Sequence, residues 1–349
     1  MKKPKIAILF GGCSTEYEVS LQSALSVIMH IDRTKYDPVL LGITRSGRWY
    51  MFDGILDKIS SDTWDNPEDC TPAIISPDRE SKGVLVFDKD ATRTIKLDVA
   101  MPILHGKNGE DGTVQGLLEL AGIPIVGCDT MSSALCMDKE RAHKLVNAAG
   151  VCVPRSVTLQ NERGVELALS QVEKFGYPLF VKPVKSGSSF GITKVFGKDE
   201  LPAAIKLAFE HDNRVIIEEN ITGAEIGCAV LGNDELIVGQ LDEVELAEGF
   251  FNYKEKYTLE TSAIHVPARI SAHKTDEIKE TAKVIYRALG CGGFARVDMF
   301  LTPSGDVIFN EVNTIPGFTL YSRYPNMLKA IGMSFGQMID EIIKLAVEG

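Results

Sequence analysis

The segment 293–318, GFARVDMFLTPSGDVIFNEVNTIPGF, restricts the possible folds more than any other part of the chain. Two runs rich in apolar, β-branched and aromatic residues flank a Pro-Ser-Gly-Asp turn at 303–306, which predicts a β-hairpin. If Phe300 pairs with Phe309, the strand period of two places four polar side chains on one face. These are Arg296, Asp298, Glu311 and Asn313.

The polar face of this hairpin predicts a metal site. In the same register Asp298 lies opposite Glu311, with Cβ atoms about 5 Å apart. Adjacent carboxylates repel unless a cation lies between them, and carboxylate and amide oxygens suit Mg²⁺ that bridges phosphates. A solvated face is the alternative, which the apolar neighbours disfavour. The Pro-Gly turn that follows offers the Gly317 N–H as an oxyanion donor beside Arg296.

The first part of the chain alternates strand and helix patterns. Its strands are indicated at 6–10, 38–43, 99–104 and 123–126, and its helices at 16–31 and 113–121. The run at 99–104 is apolar enough to be buried on both faces of a parallel sheet. The polar segment 53–82 is interpreted as a surface excursion. We expect an α/β domain over 1–138.

Two α+β units are predicted to follow. The first covers 139–222 and the second 223–349, which suits the two or three domains expected for 349 residues. The first has helices at 138–149 and 199–211 and strands at 177–184, 192–195 and 214–219. The second has strands at 225–231 and 235–241, a loop at 245–262, a helix at 275–289, the hairpin and a helix at 334–347.

Composition limits the compartment and the partners. A net charge of −11 argues against a general nucleic-acid or anionic-membrane partner. No apolar stretch approaches a membrane span or the core of a signal peptide. The seven cysteines are odd in number and scattered, without a C-x-x-C pair. These features predict a cytoplasmic protein with reduced thiols and no membrane association.

The segment 10–24, FGGCSTEYEVSLQSA, has the strand–Gly-Gly–helix shape of a phosphate-binding turn but lacks both G-x-G-x-x-G and G-x-x-x-x-G-K-[ST]. Thr15 and Glu18 match a capping box, which explains Glu18 structurally. Glu16 lies at the carboxyl end of a strand, where ligands collect in α/β proteins, and it would attract an ammonium group. A favourable helix-dipole contact alone is the alternative for Glu16.

Three weaker signals complete the set. In FVKPVKSGSSFGITKV, at 180–195, lysines and Ser/Gly donors could hold a polyphosphate, with an ordinary loop as the alternative. His105 ends a buried strand, although a lone histidine is more often structural. The segment 215–225, VIIEENITGAE, could form a hinge that receives adenine and ribose.

Together, FGG…TEYEVS, LHGKNGEDGTVQG, MDKERAHK, VKPVKSGSSFG, EKY, ARVDMF and FNEVNTIPGFT resemble the D-alanine–D-alanine ligase family of ATP-grasp enzymes over essentially the whole chain. The resemblance implies a cytoplasmic homodimer with an α/β N-terminal domain preceding two α+β ATP-grasp domains. It implies an ATP-dependent ligation, in which one D-amino acid carboxylate is phosphorylated and the amine of a second displaces phosphate. It also implies ATP and two Mg²⁺, with Mn²⁺ as a substitute.

The resemblance assigns a role to individual residues. ATP would be contacted by Lys139, Lys182, Ser188, Ser189, Glu218, Glu219, Ile221, Glu225 and Phe250. Mg²⁺ would be held by Asp298, Glu311 and Asn313, and negative charge would be stabilised by Arg296 and the Gly317 N–H. Glu16 would bind the first ammonium, with His105 beside it, and Ser188 would link Glu16 to Tyr257. The general base is left open between His105, Tyr257 and a water.

The second substrate is predicted from departures within the family pattern. Lys256 and Tyr257 are as in ligases that use an amine nucleophile. Phe251 replaces a common Tyr, and Arg323 follows Ser322 where an apolar residue is common. With Asp242 as a partner of Arg323, this resembles D-alanine–D-serine ligases of the VanG type from vancomycin-resistance clusters, so D-Ser is predicted as the acceptor. The alternative is a D-alanine–D-alanine ligase.

Three other functions are weighed against this one. Another ATP-grasp carboxylate–amine ligase would lack Glu16 and the Lys256–Tyr257 pair. A nicotinamide-dependent oxidoreductase is disfavoured by the missing glycine fingerprint, and a nucleotide sensor by the complete Mg²⁺ set.

Overall fold

The fold is that of a computed structural model, which describes residues 3–161, 165–187, 190–246 and 262–348. Three β-sheets, of seven, four and six strands, follow one another along the chain. The order agrees with the predicted sequence of an α/β part and two α+β parts, and the ATP-grasp architecture is confirmed.

The N-terminal sheet has the spatial order β6-β5-β4-β3-β2-β1-β7. Its strands are β1 Lys5–Gly11, β2 Asp37–Ile43, β3 Trp49–Phe52, β4 Cys70–Ile75, β5 Gly83–Phe87, β6 Thr92–Lys96 and β7 Val99–Pro102. The accompanying helices are α1 Tyr17–His30, α2 Asp57–Ser60 and α3 Thr113–Leu120. Strand β1 is parallel to β2 and β7, as predicted, while β3 to β6 extend the sheet in antiparallel fashion. The carboxyl ends of β1 and β7 therefore lie side by side, which places residues 11–16 next to residues 103–110.

The prediction of a surface excursion over 53–82 is wrong. Strand β4 belongs to the sheet, and Trp64 is completely buried. The Trp64 ring contacts Phe10 edge-to-face at 4.9 Å, and its Nε1–H donates to the Tyr17 hydroxyl at 2.9 Å. A single aromatic residue among polar ones is enough to anchor this segment in the core.

The central sheet is antiparallel, in the order β10-β9-β11-β8. Its strands are β8 Ser156–Leu159, β9 Leu179–Pro183, β10 Thr193–Val195 and β11 Val215–Glu219. Helices α4 Thr130–Met137 and α5 Lys139–Ala148 precede it; α6 Val165–Val172 and α7 Leu201–Phe209 pack against it. The predicted pair of strands around the glycine loop is confirmed, and the sequence prediction missed α4, β8 and α6.

The C-terminal sheet follows the order β15-β14-β12-β16-β17, with β13 paired to β12. Its strands are β12 Ala224–Leu231, β13 Ile237–Val238, β14 Asp242–Leu246, β15 Ser262–His265, β16 Phe294–Leu301 and β17 Val307–Asn313. Its helices are α8 Ala272–Ala288, α9 Arg323–Lys329 and α10 Phe335–Glu348. Short strands at the predicted positions 123–126 and 235–241 are reduced to a bridge at Ile125 and to β13.

The hairpin register is half as predicted. Asp298 pairs with Glu311 and Arg296 with Asn313, whereas Phe300 pairs with Ile308 because the register shifts between Asp298 and Met299. A β-bulge of this kind adds one residue to one strand, which sequence alternation does not reveal. The bulge lies between the turn and Asp298 and brings Asp298 opposite Glu311, whereas the register next to the turn, continued unchanged, would pair Asp298 with Asn310.

Within the described residues, no helix combines the length and the apolar character needed to cross a membrane.

Candidate active site

A small cleft, with a cavity volume of about 40 Å³, opens where residues of all three parts of the chain meet. It is lined by Glu16, Glu110, Cys136, Met137, Lys139, Ser186, Gly187, Glu311, Val312, Asn313 and Thr314. The cleft therefore joins the turn after β1, the loop after β7, the start of α5, the glycine loop and the end of β17.

Glu16 is buried at the start of α1, at the bottom of this cleft. Its Oε2 is so close to two glycines that a Cβ at Gly106 or Gly187 would come within 2.5 or 2.8 Å of it. The carboxylate is thus enclosed by backbone from the N-terminal and central parts, a position from which it can meet a small cationic group.

The predicted capping box is wrong. Helix α1 begins at Tyr17, with Glu16 at the N-cap position rather than Thr15. The exposed Glu18 carboxylate bonds Arg45 Nη2 at 2.6 Å instead of a helix N–H. Glu18 therefore has no part in the cleft, as the sequence indicated, but for a different structural reason.

His105 is buried and uses both of its ring nitrogens within the protein. Nδ1 lies 2.8 Å from the Ile315 carbonyl oxygen and Nε2 lies 3.2 Å from Ser23 Oγ. Burial lowers the pKa of His105 below its usual value, which keeps the ring neutral. His105 follows β7, and its Nδ1 bonds the C-terminal part of the chain while its Nε2 bonds helix α1 of the N-terminal part.

Glu110 is a site residue that the sequence analysis missed. It is buried in the cleft and accepts hydrogen bonds from Gly106 N (2.8 Å) and Ile315 N (2.9 Å). Burial, with a further contribution from Glu16, raises the pKa of Glu110 to about 8. Its place in a Gly-rich acidic loop resembled an ordinary surface turn, because the partner segment lies 205 positions away.

The two predicted phosphate lysines have different partners near the glycine loop. Lys139 Nζ donates to the Ser186 carbonyl at 2.7 Å and lies 4.0 Å from Glu311 Oε2. Lys182 Nζ bonds Glu218 Oε2 at 2.6 Å. Burial acts to raise the pKa of Glu218, but the nearby Lys182 outweighs it and the pKa falls below its usual value. Glu218 is therefore an ionised partner that fixes the Lys182 ammonium.

The other predicted nucleotide residues are placed around the same hinge. Glu219 is paired with Arg155, whose Nε lies 2.7 Å from Glu219 Oε2. Ile221 is half-buried after β11. Glu225 lies on β12, where Oε1 accepts from Arg323 Nη1 at 2.9 Å. The sequence interpretation did not anticipate this link between the hinge and the acceptor side.

On the hairpin, Asp298 is held tightly by its neighbours. Arg296 donates from Nε to Oδ1 at 2.8 Å and from Nη2 to Oδ2 at 2.6 Å. Asn313 Nδ2 donates to the same Oδ2 at 2.9 Å. Arg296, Asp298 and Asn313 thus form one rigid group, and Glu311 stands opposite on the side of Lys139.

Arg323 forms the centre of a second buried group. Its Nε and Nη2 make a bidentate pair with Asp242 at 2.7 and 2.8 Å, as the sequence predicted. Its Nη2 also lies 3.6 Å from Asp298 Oδ1. Burial acts to lower the pKa of Arg323, but Asp242 and Asp298 outweigh it, so the guanidinium stays charged. A Cβ on Gly227 would lie within 2.5 Å of both partners, so only glycine leaves room for the pair.

Two family models match the chain. The D-ala D-ala ligase N-terminus covers residues 5–128 and the D-ala D-ala ligase C-terminus covers residues 145–344. The chain belongs to the D-alanine–D-alanine ligase family. Membership makes it an ATP-dependent dipeptide or depsipeptide ligase and accounts for the meeting of three sheets at one cleft.

Solved and curated members of the D-alanine–D-alanine ligase family align along the full length. The VanG D-Ala:D-Ser ligase structure from Enterococcus faecalis is 59% identical with a TM-score of 0.93, covering 99% of this chain and 100% of that one. The vancomycin B-type resistance protein VanB from the same species is 48% identical, with both chains fully covered. A putative D-alanine–D-lactate ligase from Streptomyces coelicolor is 45% identical, covering 100% of this chain and 99% of the relative.

Several residues implied by membership of the D-alanine–D-alanine ligase family lie outside the described residues. These are Ser188, Ser189, Phe250, Phe251, Lys256 and Tyr257. Gly317 and Ser322 are described; Ser322 lies in the turn before α9, where its Oγ accepts from Thr319 N at 3.0 Å. A Cβ at Gly317 would lie 3.1 Å from Ser322 Oγ.

The donor set on the hairpin fits Mg²⁺ rather than a metal that needs an all-protein cage. No cluster of three or more His, Cys, Asp or Glu side chains suited to a metal occurs among the described residues. Asp298 and Glu311 supply two carboxylates, and the Asn313 amide bonds Asp298 through Nδ2, which leaves its oxygen to face away from that carboxylate. Mg²⁺ commonly takes one or two carboxylates and completes its shell with waters and substrate phosphates.

Proposed function

We propose that the protein joins D-alanine to D-serine at the expense of ATP, through a D-alanyl phosphate, and so supplies a modified peptidoglycan precursor linked to vancomycin resistance. The observation that carries the proposal is the buried Arg323–Asp242 pair on the acceptor side. The 59% identity to a structure named VanG D-Ala:D-Ser ligase supports it.

The first half of the reaction belongs to the cleft around Glu16. Glu16 binds the ammonium of D-alanine, which leaves the substrate carboxylate directed towards the glycine loop. Lys139 and Lys182 neutralise the phosphates of ATP, together with Ser188 and Ser189, while the hinge residues Glu218, Glu219, Ile221 and Glu225 receive the nucleoside, with Phe250 beside it. The support is geometric, because Lys139 and Glu16 line one cleft and Lys182 is fixed by Glu218.

Mg²⁺ would be held by Asp298, Glu311 and Asn313. When bound, it would neutralise phosphate charge and so make the γ-phosphorus more open to attack. The protein's own part is to fix the carboxylates, which Arg296 and Asn313 do for Asp298.

The second half of the reaction belongs to the acceptor side. The amine of D-serine attacks the D-alanyl phosphate, phosphate leaves, and Arg296 and the Gly317 N–H stabilise the tetrahedral oxyanion. Lys256 disfavours the ammonium form of the nucleophile, and Tyr257, joined through Ser188 to Glu16, excludes water. Three carboxylates surround Arg323, so it orients Asp242 rather than the substrate itself. Asp242 and Ser322, with Phe251 from the family pattern, would form the acceptor pocket.

The preference for D-serine over D-alanine follows from polar groups of the acceptor pocket that D-alanine leaves unpaired. A pocket that hydrogen-bonds a hydroxyl leaves its own polar groups unpaired when the acceptor is D-alanine, whereas an apolar pocket separates the two only weakly. We further propose that the enzyme acts in the cytoplasm as a homodimer; its seven free cysteines agree with a reducing compartment.

The decisive experiment is a phosphate-release assay with product separation, run with D-alanine alone, with D-alanine plus D-serine, and with D-alanine plus D-lactate. We expect D-alanyl-D-serine to dominate when both D-amino acids are saturating. Reactions without D-amino acids are the control, and D-amino-acid-independent phosphate release would contradict a ligase. Preferred formation of D-alanyl-D-alanine at saturating D-serine would contradict the acceptor assignment and favour the D-alanine–D-alanine ligase alternative.

A further inference from the structure

Residues 314–318, called the strap here, connect the hairpin to the turn before α9 and contain Gly317. The N-terminal part of the chain holds the strap by three side chains. Glu110 Oε1 accepts from Ile315 N at 2.9 Å, His105 Nδ1 lies 2.8 Å from Ile315 O, and Ser23 Oγ accepts from Phe318 N at 3.1 Å. Both backbone groups of Ile315 are thus bonded across more than 200 positions of sequence.

The direction of every bond in this network follows from its members. A carbonyl oxygen only accepts, so His105 Nδ1 must carry the proton that faces Ile315. Because the buried ring is neutral, Nε2 accepts from the Ser23 hydroxyl at 3.2 Å. The Ser23 oxygen is then oriented to receive the Phe318 N–H. Since both nitrogens of His105 are engaged, the ring has no site left to take a proton from a substrate.

Gly317 lies between the two anchored positions. Ile315 and Phe318 are fixed by the network, and Pro316 restricts the backbone φ between them. The direction of the Gly317 N–H is therefore set largely from outside its own domain. Glu110 also bonds Gly106 N, whose residue packs against the Glu16 carboxylate, so the same side chain touches the loop beside the proposed ammonium site.

We propose that Ser23, His105 and Glu110 are positioning residues that align the Gly317 N–H with the oxyanion and hold it in register with Glu16. This rests on the proposed function, in which Gly317 is the oxyanion donor. Glu110 is retained at an electrostatic cost, because burial and the neighbouring Glu16 both oppose its negative charge. None of the three touches the reacting atoms; each acts through the backbone that it holds.

The test compares two serines of helix α1. Ser23→Ala removes the acceptor of the Phe318 N–H and the donor to His105. Ser20→Ala is the matched control, because Ser20 is equally buried, accepts from Gly11 N at 2.8 Å and donates to the Ile103 carbonyl, all within the N-terminal sheet. Both variants should lower Tm by a similar few degrees. Only Ser23→Ala should lower kcat, by about 10- to 100-fold, with KM for ATP within about twofold of the wild type.

A second pair of variants tests the same role if the effect of Ser23→Ala is weak. Glu110→Gln replaces an oxygen that accepts from a backbone N–H by an NH₂ group that cannot. Its control is Asp111→Asn, since Asp111 bonds Asn108 N and Thr113 N in the same loop and does not bond the strap. Glu110→Gln should again lower kcat selectively. Full wild-type kcat in both Ser23→Ala and Glu110→Gln, or equal losses in the controls, would overturn the positioning role. Absence of ligation by the wild-type enzyme would instead refute the proposed function.

Discussion

The two sides of the cleft stabilise their charges differently. On the Glu16 side, carboxylates are surrounded by glycines and backbone N–H groups, as at Glu110. On the Arg323 side, Asp242, Asp298 and Glu225 are all held by arginine side chains. Loss of a carboxylate on the first side leaves neutral backbone groups without an acceptor, whereas loss of one member of the ion-pair network leaves charged partners unpaired. We therefore expect single substitutions to cost less unfolding stability on the first side than on the second.

The largest effect is expected for Arg323→Leu. The change leaves the fully buried Asp242 without its bidentate partner and should destabilise the protein by about 3–5 kcal/mol in urea unfolding. It should also reduce kcat/KM for D-serine roughly 10- to 100-fold more than for D-alanine, because Asp242 loses the side chain that orients it towards the hydroxyl of D-serine.

A double variant separates these two effects. In Arg323→Leu with Asp242→Asn, the unpaired charge is gone, so much of the stability should return while the D-serine preference stays lost. Equal losses for D-serine and D-alanine would show that Arg323 supports the fold without setting the acceptor.

A smaller effect is expected for Glu16→Gln on the other side. The loss of one charged partner for the D-alanine ammonium should raise the KM for the first D-alanine about 10- to 100-fold, equivalent to roughly 1.5–3 kcal/mol. Unfolding stability should change little compared with Arg323→Leu. Glu18→Gln is the matched control, since the exposed Glu18 pairs only with Arg45 among its described contacts. An unchanged KM for the first D-alanine in Glu16→Gln would contradict the role of Glu16 in binding its ammonium group.

The smallest effect is a pH dependence confined to the Glu16 side. The pKa of Glu110 is about 8 in the folded protein and about 4.5 when unfolded, so the folded state binds more protons between these values. Stability should therefore fall as the pH rises from 4.5 through 8, by about 1 kcal/mol between pH 7 and 8. The difference in unfolding free energy between wild type and Glu110→Gln measures this, and a pH-independent difference would contradict it.

His105 and His143 make the unfolding free energy change with pH in the opposite direction, at lower pH. Burial lowers the pKa of both below the usual value of about 6.5, so the unfolded state binds more protons below that pH. Their contribution to stability is complete above pH 6.5 and is lost as the pH falls. Between pH 6.5 and 8 the change in stability is therefore expected from Glu110.

The features that the sequence predicted are those with a short-range signal. The Asp298–Glu311 pairing was predicted from a hairpin turn and a period of two, although the bulge is what brings the two carboxylates opposite each other, and the Arg323–Asp242 pair needed one family comparison. Trp64, Glu110 and the bulge next to Asp298 were missed. A buried aromatic in a polar segment, a carboxylate bonded to a distant backbone and an extra strand residue all depend on neighbours that are remote or irregular in sequence.

The amino-acid sequence by itself determined the parallel strands β1, β2 and β7, the β16–β17 hairpin, the family and the identity of most charged groups in the cleft. Tertiary structure decided which of those charges meet. The Glu225 carboxylate pairs with Arg323, and both ring nitrogens of His105 bond within the protein, to Ile315 and Ser23. The Glu110 carboxylate bonds the Ile315 backbone N–H, 205 positions away. The physical reason is that a buried charge or ring nitrogen must find a partner, and only the packed fold determines which partner lies within 3 Å.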